Sequence, residues 1–361
     1  MKRFILLRSI ILLIIFLIVF LLFYSLYVVG TYRRIPDNQL ISVKNTNKSQ
    51  NVLLTSTPYT ALTYNLGFGA YTPSFTFFMD GGKQSVAESP ESVLSCIQGA
   101  ISTIQEQNAD FLLLQEIDVD ATRSHHINER ELLESAFSSY DSSFAVNYDS
   151  AYLLVPPWEP HGKSLAGLEL FYKYPISISL RKSLPVASGF SKFFDLDRCY
   201  TVSRIPVENG KKLCIYTVHL SAYGTNDNVR AGQLSMLFSD MERDRSNGNY
   251  VLCGGDFNHD LKADESDTAN RESWAYPFPR SNLPEGFSFA MDFLSEEQKA
   301  VLPDTSRMTD IPYDKERSYV VTLDGFIISD NIELLDYNTI VTEYRYSDHE
   351  PVRLQFQLKD S

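Results

Sequence analysis

The chain has 361 residues, 44% of them hydrophobic, and a formal charge of −13. Setting aside Lys2, Arg3 and Arg8, the only charges in the first 30 residues, leaves 29 basic against 45 acidic side chains, a net of −16; that excludes attachment to nucleic acid through a broad basic face, but not a metal-using enzyme, because clustered carboxylates hold hard cations. Four cysteines, three of them in or beside apolar runs, are too few for a disulfide-built scaffold and are expected as buried free thiols, while 17 glycines and 16 prolines exclude collagen-like and disordered classes.

Residues 1–8 read as a cytoplasmic stub and 9–30 as a transmembrane anchor. Ser9–Val29 runs for 21 residues without a charge, about 31 Å as a helix against a hydrocarbon core of roughly 30 Å. The run is longer than the apolar core of a secretory signal, and Tyr27-Val28-Val29-Gly30 is a poor cleavage site, so an uncleaved single-pass anchor in the cell membrane is expected. The leading cations favour an internal amino terminus and an extracytoplasmic body, although Arg33 and Arg34 follow the span. Residues 31–55, with Asn38, Gln39, Asn45, Asn47, Lys48, Ser49, Gln50 and Asn51, read as a polar linker.

Residues 56–361 alternate strand and helix signals and are expected to form one α/β domain. Thr60–Asn65 reads as a strand. Ser89-Pro90-Glu91 opens a helix whose Val93, Leu94, Ile97, Ile101 and Ile104 share a face. Phe111–Gln115 reads as a buried strand, and Val202–Val207 and Lys212–Leu220 flank an Asn209-Gly210 hairpin turn. Arg230, Leu234, Leu237, Phe238 and Met241 predict a second helix before the strand Tyr250–Cys253, and alternation of Val352, Leu354, Phe356 and Leu358 predicts a final half-buried strand.

Chemistry-bearing residues fall where these strands stop, the place α/β scaffolds keep for reacting groups. They are Asn65, Glu116, His219, Asp256 with Asn258, Asp324, and Asp348 with His349. Any one alone reads as a solvated cap; the ordered set points to a site for a cation and a phosphate. The segments that carry it, Thr63-Tyr64-Asn65, Leu114-Gln115-Glu116, Thr217-Val218-His219-Leu220, Gly255-Asp256-Phe257-Asn258, Leu323-Asp324-Gly325 and Ser347-Asp348-His349, resemble the successive motifs of the endonuclease/exonuclease/phosphatase (DNase I-like) superfamily, here in a membrane-anchored, bacterial-type form. The resemblance implies a four-layer α/β sandwich, two packed mixed sheets flanked by helices. It implies a metal-dependent phosphoric ester hydrolase using Mg²⁺, with Mn²⁺ as a substitute. Glu116 is expected as the main ligand, with Asn65 and Asp348 close to the same ion. Asp256 would orient or activate water, Asn258 would hold a phosphoryl oxygen, His219 would act as general acid or phosphate donor, and His349 paired with Asp324 would face the scissile phosphate.

Arg198 resembles a phosphate-contacting arginine of the nuclease branch, with a surface ion pair as the alternative. Arg123 and His125-His126 are candidates for the pocket rim, and Lys83, in a Gly-Gly-Lys that lacks a full nucleotide-binding loop, for substrate contact. Glu169 reads as a solvent-facing strand residue, with orientation of His219 as the alternative. The expected partners are a phosphate-ester substrate (lipid headgroup, nucleotide or nucleic acid) and the membrane, with no obligate protein partner. An extracellular nuclease and a catalytically inactive binding module on the same scaffold are the alternatives. Tyr152–Trp158 suits either an ordinary packed loop or contact with a bilayer surface.

Overall fold

The computed structural model describes residues 2–43, 52–189, 192–193, 195, 197–222, 227–264 and 275–360. In chain order the elements are α1 (Lys2–Thr31), β1 (Gln39–Leu40), β2 (Pro58–Asn65), α2 (Pro90–Gln107), β3 (Phe111–Ala121), α3 (Glu129–Ala136), β4 (Asp141–Asp149), β5 (Ser164–Tyr172), β6 (Ile178–Ser183), β7 (Cys199–Pro206), β8 (Lys212–His219), α4 (Asp227–Ser246) and β9 (Tyr250–Asp256). They continue with β10 (His259–Asp260), β11 (Tyr276–Pro277), β12 (Phe287–Phe289), α5 (Glu296–Val301), β13 (Ser306–Arg307), β14 (Val320–Val321), β15 (Asp324–Ser329), β16 (Ile332–Thr339) and β17 (Val352–Leu358).

Two mixed sheets form the body, ordered β1-β6-β7-β8-β9-β15-β12 and β16-β17-β2-β3-β5-β4. Each has one parallel pair near its middle, β8 with β9 and β2 with β3, so the carboxyl ends of these strands open toward the same edge. Alternation assigns the faces. Ala61, Phe111 and Leu113 join the core between the sheets, while Leu62, Leu112 and Leu114 pack outward against Val93, Ile97 and Ile104 of α2. β3 is therefore apolar on both sides, as its unbroken Phe-Leu-Leu-Leu demands. On the other flank Leu234, Leu237, Phe238 and Met241 of α4 are buried, which completes the four layers.

Local signals were reliable. Ser89 accepts from Ser92 N–H, and Ser92 Oγ accepts from Ser89 N–H, a capping box worth about 1 kcal/mol. Gly210 turns the β7–β8 connection at φ +80°. All four cysteines are buried and free.

α1 is one helix, long and apolar enough to cross a membrane, with nearly its whole length exposed. The linker expectation changes, because the chain leaving this helix is fastened to the body. Gln39 and Leu40 pair with Arg181 and Leu180 of β6, Asp37 Oδ1 accepts from Ser183 N–H at 2.8 Å, and Ile35 N–H donates to Asp197 Oδ1 at 3.1 Å. Leu53 is fully buried. Composition missed this because the docking is made largely by the backbone, joined by Asn38 Oδ1 accepting from Lys182 Nζ at 2.6 Å, and side-chain polarity does not encode it. Asn45, Asn47, Lys48, Ser49, Gln50 and Asn51 lie outside the described residues.

Candidate active site

Register brings the strand-end residues together. Asn65 ends β2 opposite Gln115 of β3, His219 ends β8 opposite Asp256 of β9, and Asp324 starts β15 opposite the same Asp256. Two backbone departures aim the side chains. Glu116 sits at φ +54° in a bulge of β3, a left-handed conformation that costs a non-glycine residue energy. Gly255 has φ +146°, and a Cβ there would lie 2.0 Å from Val218 O, so only glycine lets β9 run this close to β8.

Asp256 Oδ2 is the meeting point. Asn65 Nδ2 donates to it at 3.1 Å and to Glu116 Oε1 at 3.2 Å. His219 Nε2 stands 3.6 Å from Glu116 Oε1 and 3.6 Å from Asp256 Oδ2, and His349 Nε2 is 3.8 Å from Asp256 Oδ2. His349 Nδ1 is bonded to Asp324 Oδ2 at 2.7 Å, and Asp324 is held in turn by its own N–H and that of Leu323 on Thr305 Oγ1. Ser347 Oγ donates to Asn65 O at 2.8 Å and lies 3.3 Å from Asp348 Oδ1, tying the last motif to the first strand.

Burial and neighbouring charge push the two histidines apart. His349 is penalised by burial, but the carboxylates of Asp324, Asp348 and Asp256 outweigh that and hold it well above the ordinary imidazole value. His219 is driven well below it by burial and by the cations Arg198, His349 and Arg123. Burial lifts Asp256 to about 7, with His349 opposing and Asp324 adding. Burial also lifts Asp348 to about 7; His349 opposes this and Glu116 adds to it.

The donor set fits a hard divalent cation: Glu116 and Asp348 bring mutually repelling carboxylates to one pocket, oxygen donors few enough to leave room for water on the ion. Asp256, Asp324 and His349 also place ligand-type atoms within 4.8 Å of one another. There the short Nδ1–Oδ2 bond already occupies His349 and Asp324, so this trio is better arranged for handling protons.

The acids lie in a cavity of about 140 Å³ walled by Phe68, Tyr71, Phe77, Phe78 and Tyr148. Arg123 and Arg198 both line it as expected. Arg123 is locked by Nε and Nη2 on the two oxygens of Asp118, with its guanidinium carbon 3.9 Å from the Phe68 ring centroid. Arg198 is half-buried and bonds Asp195 through Nε at 2.7 Å, so the ion-pair alternative and the pocket position are both real.

Several expectations change. Lys83 is exposed and does not line the cavity. His125 and His126 turn away, to Ala87 O and Asp120. Glu169 is buried beside Arg130, and burial raises it to about 7, because α3 covers the outer face of β5. Asn65 offers the acids its amide nitrogen, while its oxygen accepts from Gly67 N–H at 3.0 Å. An amide N–H cannot ligate a cation, so this geometry makes Asn65 a clamp on the acids. Asn258 directs Nδ2 to Leu220 O at 2.8 Å and Asp256 Oδ2 at 3.3 Å, which commits the donor expected for a phosphoryl oxygen.

Sequence reading missed Arg307. It is 1% exposed, lines the cavity, and bonds Thr72 O through Nη2 at 3.0 Å, while Nε and Nη1 have no partner among the described residues. Ser306-Arg307 belongs to no motif, and nothing in its local sequence distinguishes it from a surface arginine.

The Endonuclease/Exonuclease/phosphatase family matches residues 62–299 of the chain. Among solved structures, an endonuclease/exonuclease/phosphatase from Beutenbergia cavernae is 14% identical with a TM-score of 0.56, the match covering 84% of this chain and 72% of that one. The human Nocturnin catalytic domain with bound sulfate is 17% identical with a TM-score of 0.54, over 84% and 95%. D. rerio TDP2 complexed with single strand DNA product is 14% identical with a TM-score of 0.54, over 84% and 100%. No curated protein matches the chain. With the matched segment spanning β2 to α5 and the fold shared at this level, the chain belongs to the Endonuclease/Exonuclease/phosphatase family.

Proposed function

We propose that this protein is a membrane-anchored hydrolase of phosphate esters that depends on a divalent metal, Mg²⁺ with Mn²⁺ as a substitute. The observation that carries the reading is the convergence of Glu116, Asp256, His219, the His349–Asp324 pair and Asp348 with three arginines in one aromatic-walled cavity. Glu116 and Asp348 would hold the cation, which when bound supplies charge neutralisation at the phosphoryl oxygens and a more acidic water. Asp256, held by Asn65 and Asn258, takes a proton from the attacking water at Oδ2. His349, kept protonated by Asp324, points Nε2 into the cavity and donates to the phosphoryl group or to the leaving oxygen. His219, kept neutral, donates one N–H and is not a source of charge. Arg123, Arg198 and Arg307 bind phosphoryl oxygens.

Hydrolysis of bis-p-nitrophenyl phosphate by the purified full chain tests this. Activity should vanish with EDTA and return with Mg²⁺ or Mn²⁺; absence of turnover under all three conditions would show an inactive binding module. Arg307→Met should lower kcat/KM about 10- to 100-fold, the scale of losing a charge-assisted hydrogen bond. Arg307→Lys should recover only part, since an ammonium keeps the charge but not the fork. Equal activity of all three forms would remove Arg307 from the site.

The leading cations Lys2, Arg3 and Arg8 support an orientation with residues 1–8 inside and the body outside. Protease added to intact cells should release the domain, and full protection alongside a digested external control would reverse the orientation.

A further inference from the structure

The end of the anchor helix is built into the wall of the site. Val28 is buried against Phe193, with Tyr24, Tyr32, Tyr148 and Ala151 packed around them, and Tyr148 also lines the catalytic cavity. The Tyr24 hydroxyl accepts from Leu154 N–H at 2.9 Å and donates to Tyr152 O at 3.1 Å, while the Tyr27 hydroxyl accepts from Tyr152 N–H at 3.2 Å. Tyr24 precedes the end of α1 at Thr31 by seven residues, about 10 Å along the axis. Tyr24 and Tyr27 stand in the last two turns of α1, so these bonds hold the 152–154 backbone against the outer end of the anchor, where tyrosines gather near the bilayer surface.

The same loop continues to the mouth of the cavity. Trp158 Nε1 donates to Lys83 O at 3.2 Å, the Glu159 carboxylate accepts from Ser85 and Val86 N–H, and His161 Nδ1 is 3.0 Å from Ser85 O. His161 and the neighbouring Phe77, Phe78 and Met79 are cavity walls. Along this path Tyr152, Val155, Trp158 and Met79 are exposed, Trp158 by 70%. Large apolar side chains left in water beside a membrane helix are unfavourable unless the bilayer covers them.

We propose that the natural substrate is a phosphodiester lipid taken from the bilayer to which the protein is anchored, with Tyr152, Val155, Trp158 and Met79 seated in the headgroup layer and the lipid phosphate entering the cavity. The proposal rests on the anchored-phosphoesterase reading above. Charge supports a lipid over a nucleic acid: a net of −16 outside the anchor segment repels a long polyanion, whereas one headgroup meets only the local arginines. Exposed Lys83, outside the cavity but beside Trp158, is placed to meet neighbouring lipid phosphates. The step is a hydrolysis. Water oxygen bonds to phosphorus, the ester bond to the leaving alcohol breaks, one water proton ends on that alcohol, and the products are an alcohol and a phosphomonoester.

The full chain reconstituted in vesicles of phosphatidylcholine, phosphatidylglycerol or sphingomyelin, with Mg²⁺, tests the proposal through loss of parent lipid. At least one of the three is expected to be consumed, and the double variant Val155→Asp/Trp158→Asp should slow that consumption at least ~10-fold while leaving hydrolysis of bis-p-nitrophenyl phosphate unchanged. The soluble substrate reports that the variant is folded. Trp emission of the wild type should be quenched by lipids brominated along their chains, and Trp158→Phe should remove that quenching. Hydrolysis of the soluble diester with none of the three lipids consumed would overturn the lipid proposal alone. So would an equal loss on both substrates, or faster cleavage of a single-stranded oligonucleotide than of lipid. No hydrolysis of the soluble diester by the wild type would overturn the phosphoesterase reading beneath it.

Discussion

Glu116→Gln is expected to reduce hydrolysis of bis-p-nitrophenyl phosphate by a factor of ~100 or more, the effect of losing a principal electrostatic stabiliser. The substitution keeps the side chain's shape and its contact with Asn65 Nδ2 through an oxygen, so the pocket stays formed. What it removes is one negative charge from the pair that Glu116 makes with Asp348. With that charge gone, Asp348 loses a neighbour that raises it and ionises more readily, yet a bound cation would be held by one carboxylate in place of two. Raised Mg²⁺ should therefore recover part of the activity, and the measurement is rate against Mg²⁺ for both proteins. Near-normal activity at low Mg²⁺ would take Glu116 out of the metal site.

The second large effect concerns the His349–Asp324 pair. His349 is kept protonated well above the ordinary imidazole range because three carboxylates outweigh its burial, and Asp324 is the largest of them. The sign follows directly. A raised pKa means the charged form persists as pH rises and is lost only above the raised value, so kcat/KM should show an alkaline limb set by His349. Asp324→Asn removes the principal support, and that limb should move to lower pH while the Mg²⁺ requirement stays nearly constant. His349→Ala should be at least as damaging, and the double variant should be little worse than His349→Ala, because the two residues act as one unit. Profiles of kcat/KM against pH for the four proteins provide the test. Additive losses, or a changed Mg²⁺ requirement in Asp324→Asn, would make Asp324 an independent ligand.

The residues that could be found from the sequence share one property. Asn65, His219, Asp256 and Asp324 end or begin apolar strands, Glu116 follows the apolar run of β3 at its bulge, and His349 stands just ahead of β17, so a local pattern marks them and strand register and the bulge then bring them together. Their partners were less visible. That Asn65 would turn its amide nitrogen to the acids depends on Gly67 N–H occupying its oxygen, a contact set by the turn after β2. Glu169 follows the alternation of an exposed strand residue and is buried because α3 lies over it. His219 and His349 look equivalent as letters. Three carboxylates around one and two arginines facing the other separate them.

The sequence by itself determined the long apolar amino-terminal helix, the alternation of strands and helices, the caps and hairpin turn, and the acids and imidazoles of the site. All of these rest on periodicity, on turn chemistry, or on motifs a few residues long. Only the tertiary structure decided that Arg307, from a segment without a motif, reaches the cavity with two nitrogens unpaired among the described residues. It also decided that the polar stretch after α1 begins by docking on β6, and that the loop at 152–158 joins α1 to the mouth of the site. These are contacts between residues more than 70 positions apart; they depend on how the two sheets pack and where their edges lie, and no local pattern encodes that.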